Sequence, residues 1–270
     1  MRRVLFLAYH FPPVGGSGVQ RSLAFVRYLR ESGYEPVVVT GPGPAGGRWT
    51  PADPSLADDL PADLEVLRLG PEPEPAGRGG RRAERLLGLE SRFARWWVEG
   101  AVAAGRRASG IDLVYASMCP FETAGAAAAL SRALGRPWVA DLRDPWALDE
   151  LAVYPSAFHR RRELRRMRRL LGTASVVVMN TEEAARAARE RFPELAGRVS
   201  TIPNGFDASS FMAGTLLPEA KVAYVPGATF FPVHQQPHHA RVSFSGVPDE
   251  RLVDGITALG RLLSRELSTR

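Results

Sequence analysis

Val4-Leu5-Phe6-Leu7-Ala8, Val14-Gly15-Gly16-Ser17-Gly18 and Val37-Val38-Val39-Thr40 are the stretches whose reading decides the fold. The first and third are short, continuous apolar runs, the pattern of strands buried on both faces. Between them the glycine-rich turn opens a segment in which Val19, Leu23, Val26, Tyr28 and Leu29 recur at about helical spacing. Gly33 stands where a helix C-terminal cap would. Strand, glycine turn, helix, strand is the βαβ unit of a parallel sheet.

The alternation continues outward from this unit. Residues 41–62 read as a loop rich in Pro, Gly, Ala and Asp, and Leu64 to Leu69 as a short strand. Residues 70–82 are of low complexity. Residues 83–108 read as an amphipathic helix with Leu86, Leu87, Phe93, Trp96, Trp97 and Val98 among arginines. Further strands are expected at Ile111 to Ala116, Pro137 to Asp141, Ser175 to Met179 and Val199 to Ile202. Helices are expected at 122–134, 158–171 and Thr181 to Arg191. No repeat of solenoid period is present. The expected class is α/β, a doubly wound parallel sheet of Rossmann-like type, with a short α+β tail at the C-terminus.

A chain of 270 residues with 45% hydrophobic residues can bury a substantial core. The net charge is +6, and Lys221 is the only lysine, so nearly all the positive charge is arginine. Anionic phosphates, anionic lipid and solvated faces all fit such a balance. Cys119 is the single cysteine, which excludes an intrachain disulfide and agrees with a reducing cytoplasm. No apolar run approaches the ~18 residues of a membrane span. Met1-Arg2-Arg3 before Val4 to Ala8 resembles a signal peptide only faintly. The apolar stretch is short and runs into Tyr9-His10-Phe11-Pro12-Pro13 without a small-residue cleavage site, so a first strand is expected.

In open parallel sheets, ligands bind outside the carboxyl ends of the strands, and three segments are expected there. Gly15, Gly16 and Gly18 open a helix, where backbone N–H groups and the helix dipole favour an anion. A tight turn with no ligand is the other reading. The spacing is not the Gly-x-Gly-x-x-Gly dinucleotide fingerprint. The second segment, Ala140-Asp141-Leu142-Arg143-Asp144-Pro145-Trp146, sets two carboxylates and a guanidinium directly after a buried strand. Such charges are costly to bury unless paired. Either an Arg–Asp pair and a helix cap are structural, or a carboxylate bonds sugar hydroxyls while Trp146 offers a stacking face. The third, Ile202-Pro203-Asn204-Gly205-Phe206-Asp207, carries the Asn-Gly turn signal and alone reads as a boundary turn.

Taken together, Phe11-Pro12-Pro13-Val14-Gly15-Gly16, Pro137 to Trp146, Ala174 to Glu182 and Ile202 to Asp207 resemble, in order, the N-terminal domain of family 4 glycosyltransferases. These enzymes have the GT-B architecture. Pro137 to Trp146 matches one polysaccharide-synthesis branch of the family. The resemblance covers residues 1–211. It implies transfer of a sugar from a nucleotide-sugar to a glycan or lipid-linked acceptor, with retention at the anomeric carbon, no obligatory metal and no protein nucleophile. It also implies that this domain holds the acceptor while its Gly-Gly turn lies against the donor diphosphate. By motif match the substrate-binding residues are Gly15, Gly16, Gly18, Asp141, Arg143, Asp144, Trp146 and Asn204. The catalytic residues are left open.

In the family a second Rossmann-like domain follows, with a basic pair and a Glu-x7-Glu segment whose charges stabilise the departing diphosphate. No such segment follows Asp207, so the expectation is a truncated enzyme with little or no transfer on its own. Residues 212–270 instead resemble the end of a class I/II aminotransferase. Val222 to Phe231 and Ala240 to Ser245 carry that likeness, and Arg241 matches the arginine that grips a substrate carboxylate. A junction is expected near residues 212–217. Lys221 sits in no pyridoxal-binding context, so pyridoxal phosphate is not expected, and no cofactor is. His234, His238 and His239 lack a completing carboxylate or cysteine, so no metal site is expected either.

Residues 159–169 hold seven arginines. A solvated helix face, nucleic acid and an anionic inner membrane leaflet are the readings, and the leaflet suits a lipid-linked acceptor. The solvated face is the first reading and peripheral contact of a cytoplasmic protein with the inner membrane leaflet the sharper alternative; nucleic-acid binding is not expected. Phe93, Trp96 and Trp97 read as core packing or as shallow membrane insertion.

Overall fold

The computed structural model describes residues 1–43, 52–58, 60–75, 77, 79–80, 90–204, 225–226, 240–241, 253–258 and 260–261. They divide into two units, Met1–Asn204 and Gly205–Arg270.

The first unit is built on seven strands: β1 Arg2–Ala8, β2 Tyr34–Thr40, β3 Glu65–Arg68, β4 Ile111–Met118, β5 Trp138–Leu142, β6 Val176–Met179 and β7 Val199–Thr201. All pair in parallel in the order β3-β2-β1-β4-β5-β6-β7. Among the described residues the connecting helices are α1 Ser17–Leu29, α2 Ser55–Asp58, α3 Arg92–Gly105, α4 Thr123–Leu134, α5 Ala157–Leu171 and α6 Glu182–Arg191. The doubly wound α/β sheet is therefore the observed class. The strand order reverses between β1 and β4, which makes the space above their carboxyl ends the topological switch point.

The apolar runs are explained by the two layers of core. Val4, Phe6, Ala8 and Val38 pack on one face of the sheet with Phe11, Val26 and Tyr115. Leu5, Leu7, Val37 and Val39 pack on the other with Trp97, Ala101, Leu130 and Trp138. Neither face meets water, so alternation with polar residues has no physical basis here. Close packing between the sheet and its helices leaves no room at Gly105, where a Cβ would come within 2.9 Å of Leu130 and Leu5.

Gly33 caps the first helical segment as its sequence position suggests. A single 3-10 turn, Arg30–Ser32, follows α1, and Gly33 takes φ 82° while its N–H reaches the Arg30 carbonyl. Two boundaries differ from the sequence reading. The 41–62 loop contains the one-turn helix α2. The helix expected over 83–108 runs from Arg92 to Gly105, capped by Ser91, whose side chain accepts from Ala94 N–H; residues 81–89, with Leu86 and Leu87, lie outside the described residues.

In the second unit Val225–Pro226 pairs antiparallel with Ala240–Arg241, and residues 253–258 are helical. Lys221, the three histidines of the tail, residues 212–217 and most of the aminotransferase-like segment lie outside the described residues.

Candidate functional site

The turn after β1 is held from several sides. Val14 N–H bonds the Phe11 carbonyl at 3.1 Å, and Asp53 N–H bonds the Pro13 carbonyl at 2.8 Å. Arg68 Nη2 donates to the Pro12 carbonyl at 2.6 Å. Gly15 is buried, and Gly16 occupies the N-cap of α1 with φ 99° and ψ 169°, which an L side chain rarely adopts. No side chain caps α1, and its first turn carries no acidic residue. Uncapped N–H groups at a helix start, aimed at the switch point, form a positive pole suited to an anion.

Asp141, at the end of β5, is 1% exposed. Its Oδ2 accepts from Arg21 Nε at 2.9 Å and its Oδ1 from Arg21 Nη2 at 2.7 Å. Both carboxylate oxygens thus accept from one buried guanidinium. Arg21 Nη1 reaches on to the Pro203 carbonyl at 3.1 Å and to Asn204 Oδ1 at 3.3 Å. The Arg21 guanidinium also lies 4.9 Å from the Phe25 ring centre. Burial alone would lower the Arg21 pKa, but the bonds and charge of Asp141 reverse this and raise it. One arginine therefore ties α1, β5 and the chain after β7 together. Tyr115 lies beside the pair, and burial followed by the Asp141 charge pushes its hydroxyl well above the usual range.

Arg143 turns back toward the glycine turn, and its Nη1 donates to the Gly18 carbonyl. Its Nε is buried without a hydrogen-bond partner among the described residues. A Cβ on Gly18 would meet the same guanidinium at 3.4 Å. Asp144, next in the chain, is exposed at the strand ends.

Trp146 is buried rather than open. Its ring stacks on Phe121, with centroids 5.1 Å apart and planes 3° apart. Its Nε1 donates to Glu163 Oε1 at 2.9 Å, and Arg166 lies 6.0 Å from its ring centre. A sugar ring reaches that face only by displacing Phe121.

Three further groups converge here that sequence reasoning did not single out. Arg21 was hidden because its partner is 120 residues away. The available signal was two charges, one on the inner side of α1 and one at the end of a buried strand, each needing the other. His10 and Cys119 follow neighbouring strands just beyond the Ala8–Ser117 register pair. Burial, then the Arg143 charge, lowers the His10 pKa, while burial raises the Cys119 thiol. Among the described residues no group of three or more His, Cys, Asp or Glu could hold a metal ion. Nor is any described helix long and apolar enough to cross a membrane.

Residues 15–205 match the family described as glycosyl transferase 4-like domain. Among curated proteins none matches the chain. Among solved structures, Anabaena Alr3699/HepE in complex with UDP and glucose shares 21% identity at TM-score 0.45, over 77% of this chain and 45% of that one. A glycosyltransferase from Rickettsia africae ESF-5 shares 13% at TM-score 0.43, over 81% of this chain and 47% of its own. Phytolacca americana UGT2, complexed with UDP-2fluoro-glucose and pterostilbene, shares 13% at TM-score 0.44, over 84% and 58%. The chain thus spans 45% of the length of HepE.

Proposed function

We propose a function from this premise: the chain belongs to the glycosyl transferase 4-like domain family. It transfers a sugar from a nucleotide-sugar to a glycan or lipid-linked acceptor in envelope or exopolysaccharide assembly, with retention at the anomeric carbon. The reaction takes place in the cytoplasm, at the inner leaflet when the acceptor is lipid-linked. The parallel-sheet unit is the acceptor half, and a second nucleotide-binding half completes the site.

The observation that carries this reading is the start of α1. An uncapped helix N-terminus, free of acidic residues, opens at the topological switch point. Gly15 and Gly16 let the backbone approach the donor diphosphate, and Gly18 seats Arg143 beside it. Electrostatic stabilisation of a departing diphosphate is the largest contribution such a site can make. Asp144 and Asn204 bind acceptor hydroxyls. Asp141 acts as a positioning residue, since Arg21 takes both its oxygens. Trp146 shapes the site by filling the space between Phe121 and α5.

The experiment is incubation of the full chain with a panel of UDP-sugars and glycan or lipid-linked acceptors, following nucleotide release. Slow release that rises with acceptor is the expected result, slow because the basic pair that stabilises the departing diphosphate belongs to the second half. Acceptor binding with no release would make the chain an inert binding remnant. Absorbance from bound pyridoxal phosphate would instead favour the aminotransferase-like reading of the tail and Arg241.

A further inference from the structure

The chain after the last strand turns back across the sheet. β7 is the edge strand, two places from β5. Ile202 N–H still bonds the Met179 carbonyl at the end of β6, at 2.9 Å, so the chain keeps to the edge for one residue beyond β7. By Asn204 it has reached Arg21, the guanidinium that holds Asp141 at the end of β5. Asn204 is thus one guanidinium away from Asp141, on the edge where Arg143 and Asp144 leave the sheet.

Arg21 decides how Asn204 is turned. A guanidinium has five N–H donors and no acceptor. Nε and Nη2 donate to the two oxygens of Asp141 at 2.9 and 2.7 Å, and Nη1 donates to the Pro203 carbonyl at 3.1 Å and to Asn204 Oδ1 at 3.3 Å. The Arg21 side chain is 6% exposed, so it has no face left for a ligand. Because Arg21 only donates, the Asn204 amide presents its oxygen inward and its Nδ2, with two hydrogens, outward. Asn204 is exposed, and among the described residues Nδ2 has no hydrogen-bond partner. An exposed asparagine ordinarily turns freely, whereas this one is pinned at its oxygen by a buried charge. The Pro203 carbonyl alone would clasp the chain in place; the second bond, to a side chain, sets a direction.

We infer that Arg21 is a positioning residue that fixes Asn204 as a hydrogen-bond donor to a substrate oxygen. That oxygen belongs to the diphosphate of the nucleotide-sugar or to a sugar hydroxyl, since both offer a lone pair to an N–H. The polarity complements Asp144 on the same edge, whose carboxylate only accepts. Arg21 acts through Asn204 and touches no substrate itself. This deepens the proposed function and rests on that reading for the ligand, but its test needs no sugar transfer.

The experiment is amide correlation NMR of the full chain, following the side-chain Nδ2 signals of Asn204 during titration with UDP-glucose, UDP and methyl glucoside. The signals should shift with UDP-glucose; a matching shift with UDP assigns the oxygen to the diphosphate, and one with methyl glucoside to a sugar hydroxyl. Asn204→Asp keeps an oxygen for Arg21 but replaces the donor by a second acceptor. It should bind UDP-glucose at least about tenfold more weakly, with a thermal midpoint no lower than the parent's. In Arg21→Lys a compact ammonium still pairs with Asp141 but lacks the fork that reaches Asn204 as well, so the Asn204 shift should shrink. Parent-like binding by Asn204→Asp overturns the inference, as does an undiminished shift in Arg21→Lys. Asn204 signals that stay still while the amides of residues 15–19 move overturn it and leave the proposed function standing. Moving Asn204 signals without any sugar transfer do the reverse.

Discussion

Substituting Asp141→Asn removes one charge of the buried pair while keeping the shape of the side chain. Both partners are less than a tenth exposed, and Arg21 makes four hydrogen bonds, two of them to this carboxylate. With the carboxylate gone, the guanidinium stays buried without a counter-charge. Breaking a buried pair from one side costs about 3–5 kcal/mol. For a unit of this size each kcal/mol lowers the midpoint by about 2–4 °C, so a drop of roughly 6–20 °C is expected. Arg21→Met should cost a similar amount by stranding the carboxylate. The double variant Arg21→Met/Asp141→Asn strands neither charge, so its loss should fall short of the sum of the singles by about 2 kcal/mol or more. The assay is urea and thermal unfolding of the full chain, monitored by circular dichroism. A loss under about 1 kcal/mol for Asp141→Asn, or strict additivity in the double variant, would refute the view that this pair holds α1 to β5.

Other consequences are as direct. Gly16→Ala has open space for its Cβ but a φ of 99° with ψ 169°, so it should cost about 1–3 kcal/mol from backbone strain alone; a neutral result in urea unfolding would contradict the turn geometry. Gly105→Ala should cost about 1–3 kcal/mol, because the new methyl meets Leu130 and Leu5 at 2.9 Å; a stabilised variant would show the packing to be looser. The pKa of the single thiol, Cys119, is raised by desolvation, so it should react with a thiol reagent at pH 8 more slowly than free cysteine. Equal rates would contradict the raised thiol. The His10 pKa lies below its usual 6.5, so between that value and the folded one the unfolded chain binds the extra proton. Stability should therefore fall as pH drops through this window, and His10→Gln should flatten the fall. A histidine titration by NMR placing His10 above 6.5 would reverse the sign.

The parallel sheet was legible because its signal is local. Leu5 and Leu7 face one layer while Phe6 faces the other, so an unbroken apolar run has only one economical meaning. Gly33 was legible for the same reason: the cap is decided by its own φ and by Arg30 three residues earlier. The site was legible in its segments but not in its pairings. Asp141 could be placed at the end of a strand, yet its partner came from α1 rather than from neighbouring Arg143. Trp146 could be a platform or a plug, and Phe121, from a different strand end, settles that it is covered. Side-chain partners far apart in sequence leave no periodicity to read. The basic helix shows both limits: its arginines are plain in the chain, but which of them face Glu122, Glu163 and Glu194 is decided by tertiary packing.

The central claim is that the start of α1 faces a nucleotide-sugar diphosphate. Amide chemical-shift mapping of the full chain, titrated with UDP-glucose into the millimolar range, tests it most directly. Perturbations confined to the amides of residues 15–19, to Arg143 and Asp144 and to Asn204 are the predicted result, reduced in Gly16→Ala. No perturbation in that range, or perturbations that cluster away from the carboxyl ends of β1 and β5, would contradict it.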